Sequence, residues 1–349
     1  MTIFDMVTAQ ALASYWNTMA EQRAPYLGET LFPDRKKRGL SLKWIKGSRG
    51  LPVVLAPSAY DVKAKTRDRI GFSDVSTNMP FFKEKLSIDE EMRQELNLVM
   101  DSANGQAYID SIMSNVFDDQ TNLLDGARAQ RERMRMQLLT SGTIAVSANG
   151  QEYNYDYGLD ESQKPTVSVS WSDPSADIIG DIESWQDLIE DNTGMRPNRA
   201  VFSRKTLGYL LKNTGIINAN FVLSNGKAAM TESVLKAYLQ ERLGLSYTVY
   251  TKKYVDEQGA AKAYVPDDVF SLFPEGNLGY TWFGTTPEES DLMSGQVSQG
   301  VGVSVVDTGV AITTSPIVDP VNVDTKVSMI SLPSLEMADY LLIADLSAD

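Results

Sequence analysis

The sequence predicts an α+β fold in which one long helix stands between β-rich segments and a mixed α/β region. Three observations predict it. Apolar residues at helical spacing run, with short breaks, from about residue 87 to residue 142. Strand and helix patterns alternate after Trp171, and the chain is β-rich and helix-poor from residue 280 onward. At roughly 150 residues per domain, 349 residues allow two domains or one large discontinuous fold.

Histidine and cysteine are both absent from the sequence. Without histidine there is no Ser-His-Asp triad, imidazole proton shuttle or histidine metal site. Without cysteine there are no disulfides, thiolate nucleophiles, zinc fingers or iron–sulfur clusters. An enzyme with this composition has to use Asp, Glu, Lys, Tyr, Ser or a carboxylate-held Mg²⁺. The composition therefore favours a structural role.

The net charge of −14 argues against a nucleic-acid binder, which is usually basic. The charge is unevenly distributed. Residues 1–85 carry 14 Lys and Arg against 8 Asp and Glu, a net +6, so residues 86–349 carry −20. One interpretation is a basic solvated segment attached to an acidic domain. The other is a basic arm that reaches the acidic body of a neighbouring copy.

The N-terminal segment predicts a short amphipathic helix followed by an extended arm. Residues 2–20 place apolar side chains mostly at helical spacing. A basic stretch follows at residues 34–38, between the breakers Pro33 and Gly39. Four consecutive basic residues without aromatic alternation are a weak signal for nucleic acid. The candidate contact residues of this stretch are Arg35, Lys36, Lys37 and Arg38.

Between Leu40 and Phe82, glycines and prolines interrupt short β-prone runs, so we expect a protruding two-stranded loop and no long helix. Four basic residues alternate along this stretch and share one face of a strand. They are interpreted either as a solvated edge that charge protects from aggregation or as a contact surface for another copy. These residues are Lys63, Lys65, Arg67 and Arg69.

The long helix is expected to begin at Ser87, where Ser87-Ile88-Asp89-Glu90 has the pattern of a capping box, and to end near Gly142. A hairpin is predicted next, because alternating apolar and tyrosine residues flank the turn pair Asn149-Gly150. The arginines at 128, 131, 133 and 135 fall on the face of the helix opposite the apolar residues.

The α/β region shows local start and stop signals. A helical stripe from Ile178 is expected to end at Gly194, and Ser203 is expected to cap a helix after the strand at residues 200–202. Another helix is predicted from Thr231 to Gly244. A hairpin is then predicted with strands at residues 247–255 and 261–265.

No active site emerges from the motifs. The P-loop pattern is absent, and Gly300-x-Gly302 lacks both a third glycine and a following helix. The acidic pairs at residues 118–119 and 267–268 lack the spacing of a calcium loop, and the second is expected to be a turn. No run of about 18 apolar residues and no secretory signal is seen, so a soluble, cytoplasmic setting is expected. We expect no catalytic residue, cofactor or metal.

The order of these elements, and several local sequences, resemble the major capsid proteins of tailed phages, most closely the lambda-type capsid protein E family. The helix exit Leu138–Thr143, the hairpin and Trp171 resemble the passage into that family's next domain. Tyr264-Val265-Pro266-Asp267-Asp268 resembles its Pro-Asp turn, and Lys326–Leu346 resembles its closing segment. Each motif is weak alone, and the ordered set carries the resemblance.

The resemblance implies the tailed-phage major capsid fold, in which an N-terminal arm and an extended β-loop accompany a peripheral domain with a long spine helix and an α/β axial domain. In this sequence the arm is residues 1–40 and the loop is residues 41–82. The peripheral domain is residues 83–170 and 280–333, and the axial domain is residues 171–279 and 334–349.

The resemblance also implies a function: a structural protein that self-assembles through hexamers and pentamers into an icosahedral phage head around double-stranded DNA. Expected partners are further copies of itself, a separate scaffolding protein, a portal protein and a decoration protein. We expect assembly in the host cytoplasm, residence in the virion and no sequence-specific DNA contact or membrane. The alternatives are an encapsulin-like compartment shell, a phage tail tube or sheath subunit and, from another class, a carboxylate-dependent hydrolase.

Overall fold

The structure, a computed structural model, describes residues 7–20, 23–46, 73–88, 94, 106–148, 150–221, 230–318 and 321–348. The described helices are α1 Ala9–Ala20, α2 Leu27–Leu31, α3 Gln106–Ser141, α4 Ile178–Thr193, α5 Arg204–Lys212, α6 Thr214–Asn220, α7 Glu232–Leu243 and α8 Pro287–Ser294. Short 3₁₀ turns occupy Glu161–Gln163 and Ala338–Tyr340. This mixture of helix and sheet confirms the predicted fold class.

The described strands, in chain order, are β1 Asp34–Lys36, β2 Ser41–Lys46, β3 Ser73–Asn78, β4 Phe81–Ile88, β5 Thr143–Ala148, β6 Gln151–Asp156, β7 Arg199–Phe202, β8 Ser246–Val249, β9 Lys253–Val255, β10 Ala261–Ala263, β11 Val269–Phe273, β12 Thr281–Phe283, β13 Gly302–Val306, β14 Val310–Val318, β15 Val321–Pro333 and β16 Leu342–Asp345. The chain divides into two compact units. The first comprises Met1–Lys43, Ser76–Glu132 and Tyr280–Ser334, and the second comprises Trp44–Val75, Arg133–Gly279 and Leu335–Asp349.

The first unit is organised around β15. Strand β14 pairs with it antiparallel along one side. On the other side β4 pairs with Val323–Ile330, and β12 pairs with the last three residues. Strand β13 extends the sheet beyond β14, and β1 extends it beyond β12 in the parallel direction. Apolar side chains of this sheet form a core with α1 and with α3, which Val116 and Leu124 join.

The expected start of the long helix is wrong. Ser87 lies inside β4, where it pairs with Asp324 in register, and its hydroxyl donates a hydrogen bond to the Asp324 carboxylate. The serine therefore serves a sheet contact and caps no helix. A partner 237 residues away in sequence is invisible to a local motif. The described part of the long helix begins at Gln106, and its end at Ser141 is as predicted.

The second unit contains a four-stranded sheet in the order β16-β11-β7-β8, with β7 and β8 parallel. Aromatic rings form the centre of its core. The Trp171 ring stacks on Trp185 with centroids 5.6 Å apart and meets the edge of Phe270 at 5.3 Å. Phe270 in turn stacks on Phe202 at 5.4 Å. Burying such rings removes large apolar areas from water, so this cluster stabilises the unit.

Local signals in the second unit predict its helices well. Helix α4 ends at Gly194 and α7 ends at Gly244, and both glycines adopt the left-handed conformation that ends a helix at little cost. Ser203 accepts a hydrogen bond from the backbone N–H of Thr206, as a capping serine should. Strands β5 and β6 form the predicted hairpin.

The second predicted hairpin is only partly correct. Strands β9 and β10 pair around the turn at residues 256–260. Residues 247–249, which were assigned to the same hairpin strand, instead belong to β8 and pair parallel with β7. A continuous β-prone run thus serves two sheets, and the break between them carries no proline or glycine that would have marked it.

Asp324 joins β15 to β4, and we expect Asp324→Asn to lower the free energy of unfolding by about 1–2 kcal/mol at neutral pH, because hydrogen bonds to a charged group are lost. The Asp324 carboxylate accepts from Lys85 Nζ at 2.8 Å and from Ser87. Burial alone would raise the pKa of Asp324, but these two donors hold the pKa below its usual 3.8.

The lowered folded-state pKa means that this stabilisation is present above pH 3.8 and is lost as the pH falls through the folded-state value. Urea unfolding of the unassembled chain between pH 7 and pH 2 measures it. Over this range, the free energy of unfolding of Asp324→Asn should fall by less than that of the wild type. Glu84→Gln on the same strand, whose carboxylate makes no ion pair with a described residue, is the matched control. Parallel pH curves for Asp324→Asn and the wild type would contradict the assignment.

Candidate assembly surfaces

The N-terminal arm packs on its own chain. Helix α1 lies against β13 and β14, and Leu12 and Trp16 are buried there. Leu31 and Phe32, at the end of α2, are also completely buried. These apolar side chains of the described arm residues are therefore buried within their own chain and need no neighbouring copy to cover them.

Helix α3 holds the arm by a row of polar contacts. The Tyr15 hydroxyl donates to Asp118 at 2.6 Å, and Arg23 pairs with Asp125 at 2.8 Å. Further along, the Arg128 guanidinium donates to both oxygens of Glu29, at 2.8 and 3.1 Å, and a Glu132 oxygen accepts from the backbone N–H of Gly28 at 3.1 Å. The arm therefore contacts the helix at residue 15 and again between residues 23 and 29.

Arg131 is the most constrained member of this row. Its side chain is only 4% exposed. It pairs with Asp307 at 2.6 Å and with Asp34 at 3.5 Å. Asp307 lies in the turn between β13 and β14 with a positive φ of 48°, and its other oxygen accepts from the Trp16 indole N–H at 3.2 Å. One buried guanidinium thus joins α3, β1 and this turn.

The predicted contact residues of the arm lie on or beside β1. The Arg35 guanidinium stands 3.4 Å from the centre of the Tyr280 ring, a cation–π contact. Lys36 pairs with Glu289 at 2.5 Å and donates to the Gly284 carbonyl at 2.9 Å. The backbone N–H of Lys37 donates to the Phe283 carbonyl at 2.8 Å.

Arg38 lines a groove described below. Of the predicted contacts, Arg35 and Lys36 are thus engaged within the chain, and their role between copies stays a prediction. The other four predicted contacts lie outside the described residues. These are Lys63, Lys65, Arg67 and Arg69.

An apolar groove of about 770 Å³ lies in the first unit. Its floor includes Met79, Phe81 and Ile330. Its rims include Leu40, which is 57% exposed, and Met293 of α8, which is 64% exposed. We call this feature the apolar groove. Large exposed apolar side chains that gather around a concavity mark an interaction surface more often than scattered ones do.

One member of each acidic pair considered in the sequence has a structural partner. Asp118 accepts a hydrogen bond from the Tyr15 hydroxyl. Asp268 accepts hydrogen bonds from Lys205 Nζ at 2.7 Å and from the Tyr209 hydroxyl at 2.8 Å. Burial raises the pKa of Asp268, but these two hydrogen bonds outweigh it and lower the pKa below its usual value. Asp268 has a positive φ of 62°, in keeping with the predicted turn. Within the described ranges, no cluster of three or more candidate metal ligands occurs.

Sequence reasoning had assigned Arg131 and Arg135 to the polar face of the long helix, but both are buried. The acidic partners Asp34 and Asp307 are distant in sequence and carry no motif of their own.

No described helix is both long and apolar enough to cross a membrane.

Comparison with known proteins gives one family and a consistent set of folds. The family model for phage major capsid protein E matches residues 8–346. A structure described as a capsid protein of a prophage of E. coli CFT073 aligns with a TM-score of 0.60 at 16% identity, covering 98% of this chain and 99% of that one. A phage-related protein of Bordetella bronchiseptica RB50 aligns with a TM-score of 0.54 at 14% identity, with coverages of 98% and 99%. No curated protein matches the chain in sequence.

We expect Arg131→Met to loosen the arm and to lower the free energy of unfolding by about 3 kcal/mol, because it leaves two carboxylates without their buried partner. Urea unfolding and the rate of tryptic cleavage after Arg23 or Lys37 in the unassembled chain measure the two effects. The control is Arg242→Met, which removes an exposed pair with Glu183 and should cost no more than about 1 kcal/mol. Unchanged cleavage of the arm in Arg131→Met would contradict the assigned role.

Proposed function

We propose, from the premise that this chain belongs to the phage major capsid protein E family, that it assembles through hexamers and pentamers into the icosahedral head of a tailed phage around double-stranded DNA. Its role is structural, as a subunit of a capsid shell. The family match along residues 8–346 is the observation that carries this conclusion, and the similar fold of the prophage capsid protein supports it.

The finer parts of the proposal concern partners and place. We propose that a separate scaffolding protein directs assembly, that a portal protein occupies one vertex and that a decoration protein binds outside. Assembly takes place in the host cytoplasm, and the finished protein is part of the virion. The net negative charge of residues 86–349 supports a further part of the proposal, that the inner surface of the shell is negatively charged. Packaged DNA does not adhere to such a surface, since like charges repel.

We further propose that the chain has no enzymatic activity, a view that rests on the absence of histidine and cysteine from the sequence. A carboxylate-dependent hydrolase remains the alternative to test. It predicts a small oligomer and an activity that one Asp or Glu substitution abolishes.

The four-part domain division also remains our proposal: arm 1–40, loop 41–82, peripheral domain 83–170 with 280–333, and axial domain 171–279 with 334–349. The compact units break at Tyr280 and after Ser334, which supports the later boundaries. Residues 133–170 fall in the second compact unit, whereas the proposed division assigns them to the peripheral domain. The compact units therefore separate the end of the spine helix and the hairpin after it from the rest of that domain.

Electron microscopy of the purified chain, with and without a scaffolding partner, tests the function. We expect closed shells. Open tubes would favour a tail tube or sheath subunit, and shells that hold a cargo protein in place of DNA would favour an encapsulin-like compartment. A monomer or small oligomer under every assembly condition would contradict the proposal.

Neutralising the four basic residues of the loop should impair shell formation and leave the subunit folded, because we propose that they contact neighbouring copies. The substitutions are Lys63→Gln, Lys65→Gln, Arg67→Gln and Arg69→Gln. Sedimentation measures shell yield, and circular dichroism checks the fold.

The matched control removes the same charge from exposed residues of the second unit. Its substitutions are Arg204→Gln, Lys212→Gln, Lys236→Gln and Arg242→Gln. Equal shell yields for the loop variant and the control variant would refute the contact role of the loop residues.

A further inference from the structure

The backbone hydrogen bonds of the hairpin β5–β6 show which of its groups point outward. The Tyr157 N–H donates to the Gly142 carbonyl at 3.2 Å, and this pair continues the register of the two strands. In an antiparallel pair, hydrogen-bonded and non-hydrogen-bonded residue pairs alternate, and the latter turn their N–H and C=O groups away from the partner strand. The outward pairs of this hairpin are therefore Thr143–Asp156, Ala145–Asn154 and Ser147–Glu152.

The outer edge of β5 is covered by side chains at the end of α3. The Thr143 carbonyl accepts a hydrogen bond from the Ser141 hydroxyl at 3.0 Å. The Ala145 carbonyl accepts one from the side-chain amide of Gln137, also at 3.0 Å. These two contacts confirm that both carbonyls point outward, and they block the approach of another strand on this side.

The outer edge of β6 is open. Each of Glu152, Asn154 and Asp156 turns one N–H and one C=O outward, and no described residue bonds these backbone groups. The side chains of the same three residues are exposed and share one face of the strand. We call these three residues the β6 edge.

Backbone groups in this arrangement are recognised by another β-strand, which adds to the edge through main-chain hydrogen bonds. The charge of the β6 edge decides which strand can add. Two β6 edges that pair antiparallel about Asn154 place Glu152 opposite Asp156 of the other copy at both ends, and like charges opposite each other are destabilising. The edge therefore excludes itself and selects a strand with basic residues at alternate positions.

The chain contains such a sequence, because every second residue from Lys63 to Arg69 is basic. Side chains alternate along a strand, so these basic residues meet the exposed face of the β6 edge. In the antiparallel register that sets Lys65 opposite Asn154, both carboxylates of the edge meet a cation. The opposed charges are Lys63 with Asp156 and Arg67 with Glu152.

The other face of β6 suits the residues between these basic positions. Tyr153 and Tyr155 are half-buried there, and their rings stack with centroids 6.3 Å apart. The same register sets Thr66 opposite Tyr153 and Ala64 opposite Tyr155. Both are small residues, which lie beside the stacked rings without displacing them.

We propose that residues 63–69 of one copy add to the β6 edge of a second copy as an antiparallel third strand of the hairpin. The inference rests on the proposed shell function and names the surface that the basic loop residues contact. Because the two surfaces differ, the contact is heterologous, and rotation from copy to copy closes it into a ring.

The absence of cysteine from the chain makes a direct test possible. Lys65→Cys and Asn154→Cys are prepared as two separate single-cysteine proteins, mixed before assembly and oxidised. In the proposed register their Cα atoms lie about 5.5 Å apart, a distance that a disulfide spans. Only a contact between different copies can join residue 65 to residue 154 in this mixture. We expect a disulfide-linked dimer, and peptide mapping should locate the bond at these two residues.

The matched control replaces Lys65→Cys with Thr66→Cys, which the register turns to the opposite face of the strand. Thr66→Cys should give much less dimer with Asn154→Cys. If shells form and the 65–154 bond does not exceed this control, the docking inference is overturned and the shell function stands. If the cysteine-free chain forms no shells under any assembly condition, the proposed function fails, and the inference fails with it.

A chain that carries both Lys65→Cys and Asn154→Cys separates docking between copies from docking within one copy. It is diluted into an excess of the cysteine-free chain before assembly and oxidation. We expect the disulfide-linked dimer to disappear on dilution without an increase in a bond inside one chain. A bond within one chain that persists on dilution would place the segment on its own hairpin and overturn the proposal.

A charge exchange tests the register. Arg67→Glu and Glu152→Arg should each lower shell yield roughly two- to fivefold, the range typical of an exposed ion pair. Both changes in one chain should restore the yield, since every contact then carries the reversed pair. Glu241→Arg, at an exposed position of α7, should have no effect. Circular dichroism checks that each unassembled variant is folded. A double variant that assembles as poorly as the single ones would overturn the pairing of Arg67 with Glu152.

Discussion

The buried guanidinium of Arg131 is the constraint on which the first unit depends. A cation removed from water is costly unless carboxylates surround it, and here Asp34 and Asp307 provide them. These two residues come from β1 and from the β13–β14 turn, so the arginine is satisfied only when both lie against α3. In this position Asp307 adopts a positive φ, and it also accepts a hydrogen bond from the Trp16 indole N–H. Helix α3, the arm and the sheet are thereby held in one arrangement, because a shift of any one of them leaves a buried charge without its partner.

This arrangement changes the energetics expected of assembly. An arm that is disordered in the free subunit pays the full entropy of ordering when it binds a neighbour. Here Leu31 and Phe32 are already buried, and Glu29 and Asp34 are already paired within the chain. The described arm therefore enters assembly ordered, and less of the contact energy between copies is spent on folding it.

The sequence predicted the elements whose signals are local. The stop at Gly194, the cap at Ser203 and the hairpin β5–β6 depend on residues within one turn or one pair of strands, and all were found where expected. The prediction for Ser87 was wrong because the pairing of β4 with β15 brings its partner, Asp324, next to it. The basic stretch beside β1 was recognised by charge, yet its partners Tyr280 and Glu289 are remote in sequence and had no motif. Long-range pairing, which tertiary structure alone creates, accounts for both gaps.

A shell built from hexamers and pentamers uses one surface in two slightly different geometries, so its contacts have to adapt without losing burial. The apolar groove suits such a demand. Met79 and Met293 line it, and methionine, with three rotatable bonds and a polarisable sulfur, fills a changing gap better than a branched side chain does. A groove lined in this way keeps an apolar partner buried while the angle between copies changes.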